Sequence, residues 1–198
     1  MLTVESFRAA LGDFQPHLLP DVEGQTRAAV AAVLRPGEGG TEFLFIHRAE
    51  DPRDPWSGHM AFPGGLSEAG DRNNLFTARR ETLEEVGLDT EQHTECLGRL
   101  SDVLARRHRG KKPMIVTPYL FAINEVPELE LNHEVADVLW VPLDFLADHE
   151  NRETMQWKMK KVNWTLPCYF YQQERIWGLS LLMLDELLKV LRPNADSR

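Results

Sequence analysis

The sequence predicts a mixed α/β fold, on three observations. Two strand-like runs flank a glycine-rich turn, one amphipathic segment ends at a glycine, and a leucine-rich tail keeps a helical period. In chain order, the first segment, to about Leu19, holds one short helix with Phe7, Ala10 and Leu11 on a face. Segments 25–34 (QTRAAVAAVL) and 42–47 (EFLFIH) read as strands of a hairpin around Pro36-Gly37-Glu38-Gly39-Gly40. Residues 50–58 are loop, and a short strand at Met60-Ala61-Phe62 runs into Pro63-Gly64-Gly65. A helix follows over 74–86, with Leu75, Thr82 and Val86 in a stripe flanked by Phe76, Ala78 and Leu83, and Gly87 is its natural stop. Strands are expected over 94–105, 113–123, 136–141 and 164–171. A final helix over 179–191 aligns Leu181, Leu184, Leu188 and Leu191.

The chain has 198 residues and shows no repeat, linker or low-complexity stretch, so residues 1–198 are expected to form one domain, with 1–24 as an extension. Lysine and arginine number 22 against 31 acids, a net charge of −9, which argues against a nucleic-acid binder. A phosphorylated small molecule remains compatible, because bound cations can supply positive charge. Cys96 and Cys168 show neither metal-ligand spacing nor a disulfide framework. No signal peptide and no bilayer-spanning run are visible, so a cytoplasmic protein with no membrane partner is expected.

The residues that carry chemistry lie between Pro63 and Leu88. Glu81, Glu84 and Glu85 are spaced i, i+3 and i+4, so they share a helix face, roughly opposite the apolar stripe. Like charges so crowded destabilise an isolated helix, and a hard oxygen-seeking cation reverses that cost. A bare ExxEE is more commonly a solvated acidic face. Here the strand-turn before it and the glycines beside it favour a metal site, because glycine lets phosphate and backbone approach without a Cβ. Arg79 falls within the apolar stripe, its stem along the core edge and its charge directed outwards.

The stretch Gly65-x5-Asp71-x8-Arg80-Glu81-Thr82-x-Glu84-Glu85-x-Gly87-Leu88 resembles the Nudix box, G-x5-E-x7-R-E-U-x-E-E-x-G-U with U apolar. It departs in three places: Asp71 stands for the first Glu, the second gap has one extra residue, and Thr82 occupies an aliphatic position. The resemblance implies a Nudix-like α/β/α sandwich with a mixed β-sheet, the box spanning 64–88. It implies hydrolysis of a phosphoanhydride by a water activated by Mg2+ or Mn2+. Glu81, Glu84 and Glu85 would be the metal carboxylates, Arg80 would orient them, and the carbonyl of Gly64 or Gly65 would complete the site; Asp71 would support the structure.

Phe62-Pro63-Gly64-Gly65, Asp71, Thr77-Ala78 and Arg80-Glu81 are similar to the coenzyme A hydrolases of that family. So are Arg48-Ala49, Arg53 and Gly58 upstream and Ile176-Trp177-Gly178-Leu179-Ser180 near the end. The products implied are 3′,5′-ADP and 4′-phosphopantetheine. Another nucleotide substrate (a dinucleoside polyphosphate, a nucleotide sugar or an oxidised nucleotide) and a non-catalytic nucleotide-binding module are the competing readings. A homodimer is compatible with all of them.

Other candidates carry two readings each. Arg48 and Arg53 are either phosphate ligands or solvated loop residues. The basic run 106–112, with Arg107, Arg109 and Lys111, is either an exposed hairpin loop or a loop that neutralises a further substrate phosphate. Glu134 is a further metal ligand or general base, or a solvated acid. Trp164, Tyr169 and Tyr171 stack on a base or belong to the core. The histidines, His59 among them, receive no role.

Overall fold

The computed structural model describes residues 2–52, 56–105, 113–159 and 162–191. Helix α1 (Val4–Asp13) starts at a reciprocal capping box. Ser6 N donates to the Thr3 side chain, and the Ser6 hydroxyl accepts from Thr3 N, satisfying two amides that the helix leaves open. Phe7 and Leu11 are buried, as expected, and the helix ends at Asp13, within the segment expected to hold it. The following segment is held from outside: His17 N donates to Ser101 Oγ and Leu19 N to Asp102 Oδ2, each at 2.9 Å.

Strands β1 (Thr26–Gly37) and β2 (Gly40–Arg48) form the expected hairpin, with a tighter turn than the sequence suggests, since Gly37 already pairs with Gly40. β3 (Met60–Ala61) joins β2, and β4 (Gly64–Leu66) joins β1. Beyond them β5 (Glu95–Arg99) and β6 (Val103–Ala105) pair with β7 (Met114–Ala122), while β8 (Val135–Pro142) pairs with β2. β7 runs parallel to β1, from Thr26 opposite Met114 to Leu34 opposite Ala122, so the large sheet is mixed. The expected strand over 94–105 is two strands. Between them Leu100 N, Ser101 N and Asp102 N turn to Pro118 O, the Glu186 carboxylate and His17 O.

Alternation along the strands sends side chains to two layers. Ala32, Leu34, Phe43 and Phe45 meet Phe7 of α1 and Leu184 and Leu187 of α5 (Gly178–Leu191). Ala31, Val33, Leu44 and Ile46 meet Val86 and Leu88 at the end of α2 (Asn74–Val86). Helices therefore cover both faces of the sheet, which is the α/β/α arrangement expected. Two short helices, α3 (Thr90–His93) and α4 (Leu143–Ala147), were not visible in the pattern. A second sheet also emerges, antiparallel in the order β11–β10–β9: β9 (Arg152–Met159), β10 (Val162–Tyr171) and β11 (Glu174–Trp177). Among the described residues no helix is long and apolar enough to cross a membrane.

Candidate active site

Helix α2 is fixed at both ends by side-chain and backbone chemistry. Asn73 accepts from Phe76 N at 2.8 Å, and Gly87 closes the helix at φ 71° with its amide on Leu83 O. Two wheel assignments need correction. Leu83 is 49 % exposed rather than flanking the core, and Glu85 is buried at 3 % rather than standing out with the other acids. The apolar layer reaches round the helix to Glu85 because β4 crosses over it. Thr82, in a position where the box is aliphatic, is fully buried and satisfies its hydroxyl on Ala78 O at 2.7 Å.

The glycine turn delivers the backbone to this buried acid. Gly64 sits at φ 151°, and a Cβ there would meet Ala29 O at 2.3 Å and Val30 Cα at 2.5 Å, so only glycine can pair with β1 in this way. The Gly64 amide donates to Glu85 Oε2 at 2.7 Å. On the other carboxylate oxygen, Arg48 Nη1 lies 3.5 Å from Glu85 Oε1. Burial dominates these contacts and pushes the Glu85 carboxyl up to about 7, with Glu81 and Glu134 adding like charge. Burial likewise raises Glu81, whose carboxylate fills the space a Gly65 side chain would take, 2.4 Å from that Cβ position.

Arg80 ties the rest together. It donates twice to Asp71, at 3.0 and 3.1 Å, and to Leu66 O at 2.9 Å. It also pairs with Glu81 at 2.9 Å and Glu84 at 3.2 Å. Asp71 further accepts from the Thr77 hydroxyl and Glu68 N, and the Arg80 hydrogen bonds hold its carboxyl down at about 2. Arg79 carries its charge outward as expected, 3.5 Å from Glu91, although its Nε is buried without a hydrogen-bond partner.

A divalent cation suits these residues by donor chemistry: three carboxylates beside a glycine turn offer hard oxygen ligands, and two of them carry charge that burial disfavours. Among the described residues no three acidic, histidine or cysteine side chains already surround one point. Glu81 and Glu84 are turned to Arg80, and Glu85 to Gly64 and Arg48, so gathering them at an ion requires rotation away from these partners.

Of the remaining candidates, Arg48 and Glu134 are brought to the acids. The Glu134 backbone carbonyl accepts from Ala49 N at 2.8 Å, and both residues line an open cleft of about 770 Å³. Arg53, Arg107, Arg109 and Lys111 lie outside the described residues. Tyr169 is buried and Tyr171 packs on Phe145 at 5.0 Å, whereas Trp164 is 49 % exposed. The sequence reading assigns His59 no role, yet its backbone carbonyl accepts from Arg48 N and its ring packs against Trp177 at 4.8 Å; three of the five tryptophans falling in 157–177 were the available signal.

Comparison with known proteins agrees with this geometry. Residues 25–162 match the family model described as NUDIX domain. An uncharacterized protein of Schizosaccharomyces pombe is 38 % identical over 103 residues, 50 % of this chain, and the chain spans only 31 % of that relative's length. The mitochondrial coenzyme A diphosphatase NUDT8 of Mus musculus is 29 % identical over 85 % of this chain and 81 % of its own. Among solved structures, a Caenorhabditis elegans Ap4A hydrolase binary complex superposes with a TM-score of 0.52 at 24 % identity, covering 60 % of this chain and 81 % of its own, a likeness of fold.

Proposed function

Since the chain belongs to the NUDIX family of pyrophosphate-bond hydrolases, we propose that its substrate is coenzyme A or an acyl-coenzyme A, cleaved to 3′,5′-ADP and 4′-phosphopantetheine. The observation that carries this reading is the expanded box. Its extra residue lies in the gap between Asp71 and Arg80, and those two residues are joined by two hydrogen bonds that Thr77 and Glu68 N extend. That gap, with Phe62-Pro63-Gly64-Gly65 and Thr77-Ala78, is the pattern similar to coenzyme A hydrolases. The NUDT8 relative, a coenzyme A diphosphatase by name, supports the same substrate.

In this proposal Glu81, Glu84 and Glu85 hold the divalent cation, Mg2+ or Mn2+. When bound, the cation supplies acidity to the attacking water and offsets charge growing on the phosphoanhydride oxygens. The protein's part is positional. Arg80, locked by Asp71, holds Glu81 and Glu84 on one side of α2, from which they rotate to the cation. Gly64 keeps Glu85 under the turn through its amide. Arg48 lies where it pairs with a substrate phosphate once Glu85 rotates to the cation. Glu134, exposed at the cleft mouth, accepts a proton from the attacking water.

Incubation with Mg2+ and a panel of coenzyme A, an acyl-coenzyme A, a dinucleoside polyphosphate, a nucleotide sugar and an oxidised nucleotide, with products separated by chromatography, tests the substrate. The expected result is the highest kcat/KM for coenzyme A or its ester. Absence of turnover on both contradicts it.

A further inference from the structure

Strands β9, β10 and β11 have two unlike faces. Tyr169 and Ile176 are buried on one, where Arg152 grips Asp185 of α5 through both guanidinium nitrogens. On the other face, the register places Trp157 opposite Trp164 and Trp177 opposite Cys168, so alternation puts three tryptophans on one side, beside the buried Met155 and Cys168. Trp157 and Trp177 lie 4.6 Å apart, and the His59 ring packs on both, at 4.8 Å from Trp177 and 6.4 Å from Trp157. Trp164 and Trp157 remain 49 % and 36 % exposed.

This face continues into the acidic site. Arg48 N donates to His59 O at 3.1 Å, which extends the β2–β3 register of Ile46 with Ala61 and His47 with Met60 by one residue. Ile46 and Ala61 pack on the α2 side of the sheet, and so does Arg48, whose guanidinium reaches Glu85. Two neighbouring residues, His59 on Trp177 and Arg48 on Glu85, therefore connect the tryptophans to the buried carboxylate.

We propose that Trp157 and Trp177, braced by His59, together with the exposed Trp164 form a stacking platform for the purine base of the nucleotide substrate; this rests on the nucleotide reading above. Tryptophan faces stack on a purine whatever its ring substituents, and such contacts recur wherever a base is held without hydrogen-bond readout. The flexible phosphopantetheine arm offers no ring and gains nothing comparable. The acids, through the cation they hold, would thus fix the pyrophosphate, and the second sheet would fix which end of the molecule points towards it.

The test is calorimetric binding of two separate probes, 3′,5′-ADP and 4′-phosphopantetheine, to the full chain and to Trp164→Ala and Trp164→Phe, with unfolding curves checking that each variant folds. Trp164→Ala is expected to weaken 3′,5′-ADP about tenfold and 4′-phosphopantetheine less than about twofold, with Trp164→Phe recovering most of the loss. In turnover the effect should fall on KM rather than kcat. Equal weakening of both probes, or no weakening of 3′,5′-ADP, overturns the platform. So does an unchanged 3′,5′-ADP affinity accompanied by conversion of a dimer to a monomer, which would make this face a contact between two copies. If coenzyme A is not cleaved but ADP binding still depends on Trp164, the substrate reading fails and the platform stands.

Discussion

Asp71 and Glu85 are both carboxylates pinned beside α2, each with a side chain about 4 % exposed, and they have opposite electrostatics. Asp71 faces a guanidinium that donates to both of its oxygens, together with a hydroxyl and an amide, so its charge is fully compensated and its carboxyl sits at about 2. Glu85 has one amide at 2.7 Å and an arginine at a looser 3.5 Å, against the charges of Glu81 and Glu134, and its carboxyl rises to about 7. Burial alone does not decide what a carboxylate does; the partners left over after burial do. Asp71 is finished as a structural group, whereas Glu85 keeps an unmet demand for positive charge that a cation can fill.

The largest effect that would break this contrast is catalytic. Glu85→Gln is expected to lower Mg2+-dependent kcat on the order of 10²–10³-fold, measured by product release, while leaving the unfolding midpoint equal or higher above pH 7. Asp71→Ala should do the reverse in emphasis. It strips Arg80 of its main partner in a mostly buried setting, so chemical denaturation is expected to show a loss of about 3 kcal/mol, with activity falling about 10–100-fold through misdirected Glu81 and Glu84.

The pH dependences of the two groups run in opposite senses. Glu85 has a raised folded value, so without metal it contributes nothing unfavourable below pH 4.5, where both states are protonated. It then lowers stability progressively between 4.5 and about 7, by roughly 3 kcal/mol in all. Metal affinity changes the other way, weakening as pH falls below about 7 because the ligand must shed its proton. Asp71 has a lowered value. Its contribution is complete above the ordinary 3.8 and is lost as pH falls towards about 2. Unfolding curves from about pH 2 to 9, with and without Mg2+, check both signs. The smallest expected effect is from Gly87→Ala, about 1 kcal/mol. It would strain a residue at φ 71° and press a Cβ to 3.0 Å from Glu130, beside the bonds from Asn132 N to Glu85 O and Glu130 N to Val86 O.

Sequence pattern revealed the parts whose signals are local. α2 carries its own period and its Gly87 stop, the β1–β2 hairpin carries its glycines, and the box residues stand at fixed spacing, so fold class and acidic cluster were readable together. What depended on distant chain was not. Glu85 looked exposed on the wheel because nothing in its own turn announces that Gly64 arrives above it. The break between β5 and β6 is made by His17, Pro118 and Glu186, far away in sequence. β9 reads as a polar run and becomes a strand only by pairing with β10, from Tyr169 with Arg152 to Val162 with Met159. α3 and α4, at four and five residues, are too short for periodicity to register. Of the aromatic face only Trp164 was readable as a stacking candidate; His59, Trp157 and Trp177 were not, since they meet only after distant strands come together.

The most direct test of the contrast is a calorimetric titration of Mn2+ into the wild-type chain, Glu85→Gln and Asp71→Asn at pH 8. If Glu85 is a cation ligand and Asp71 a scaffold, Glu85→Gln loses at least about tenfold in Mn2+ affinity while remaining folded, and Asp71→Asn loses less affinity despite its lower unfolding midpoint. Undiminished Mn2+ binding by Glu85→Gln, with loss confined to Asp71→Asn, would contradict the assignment of both residues.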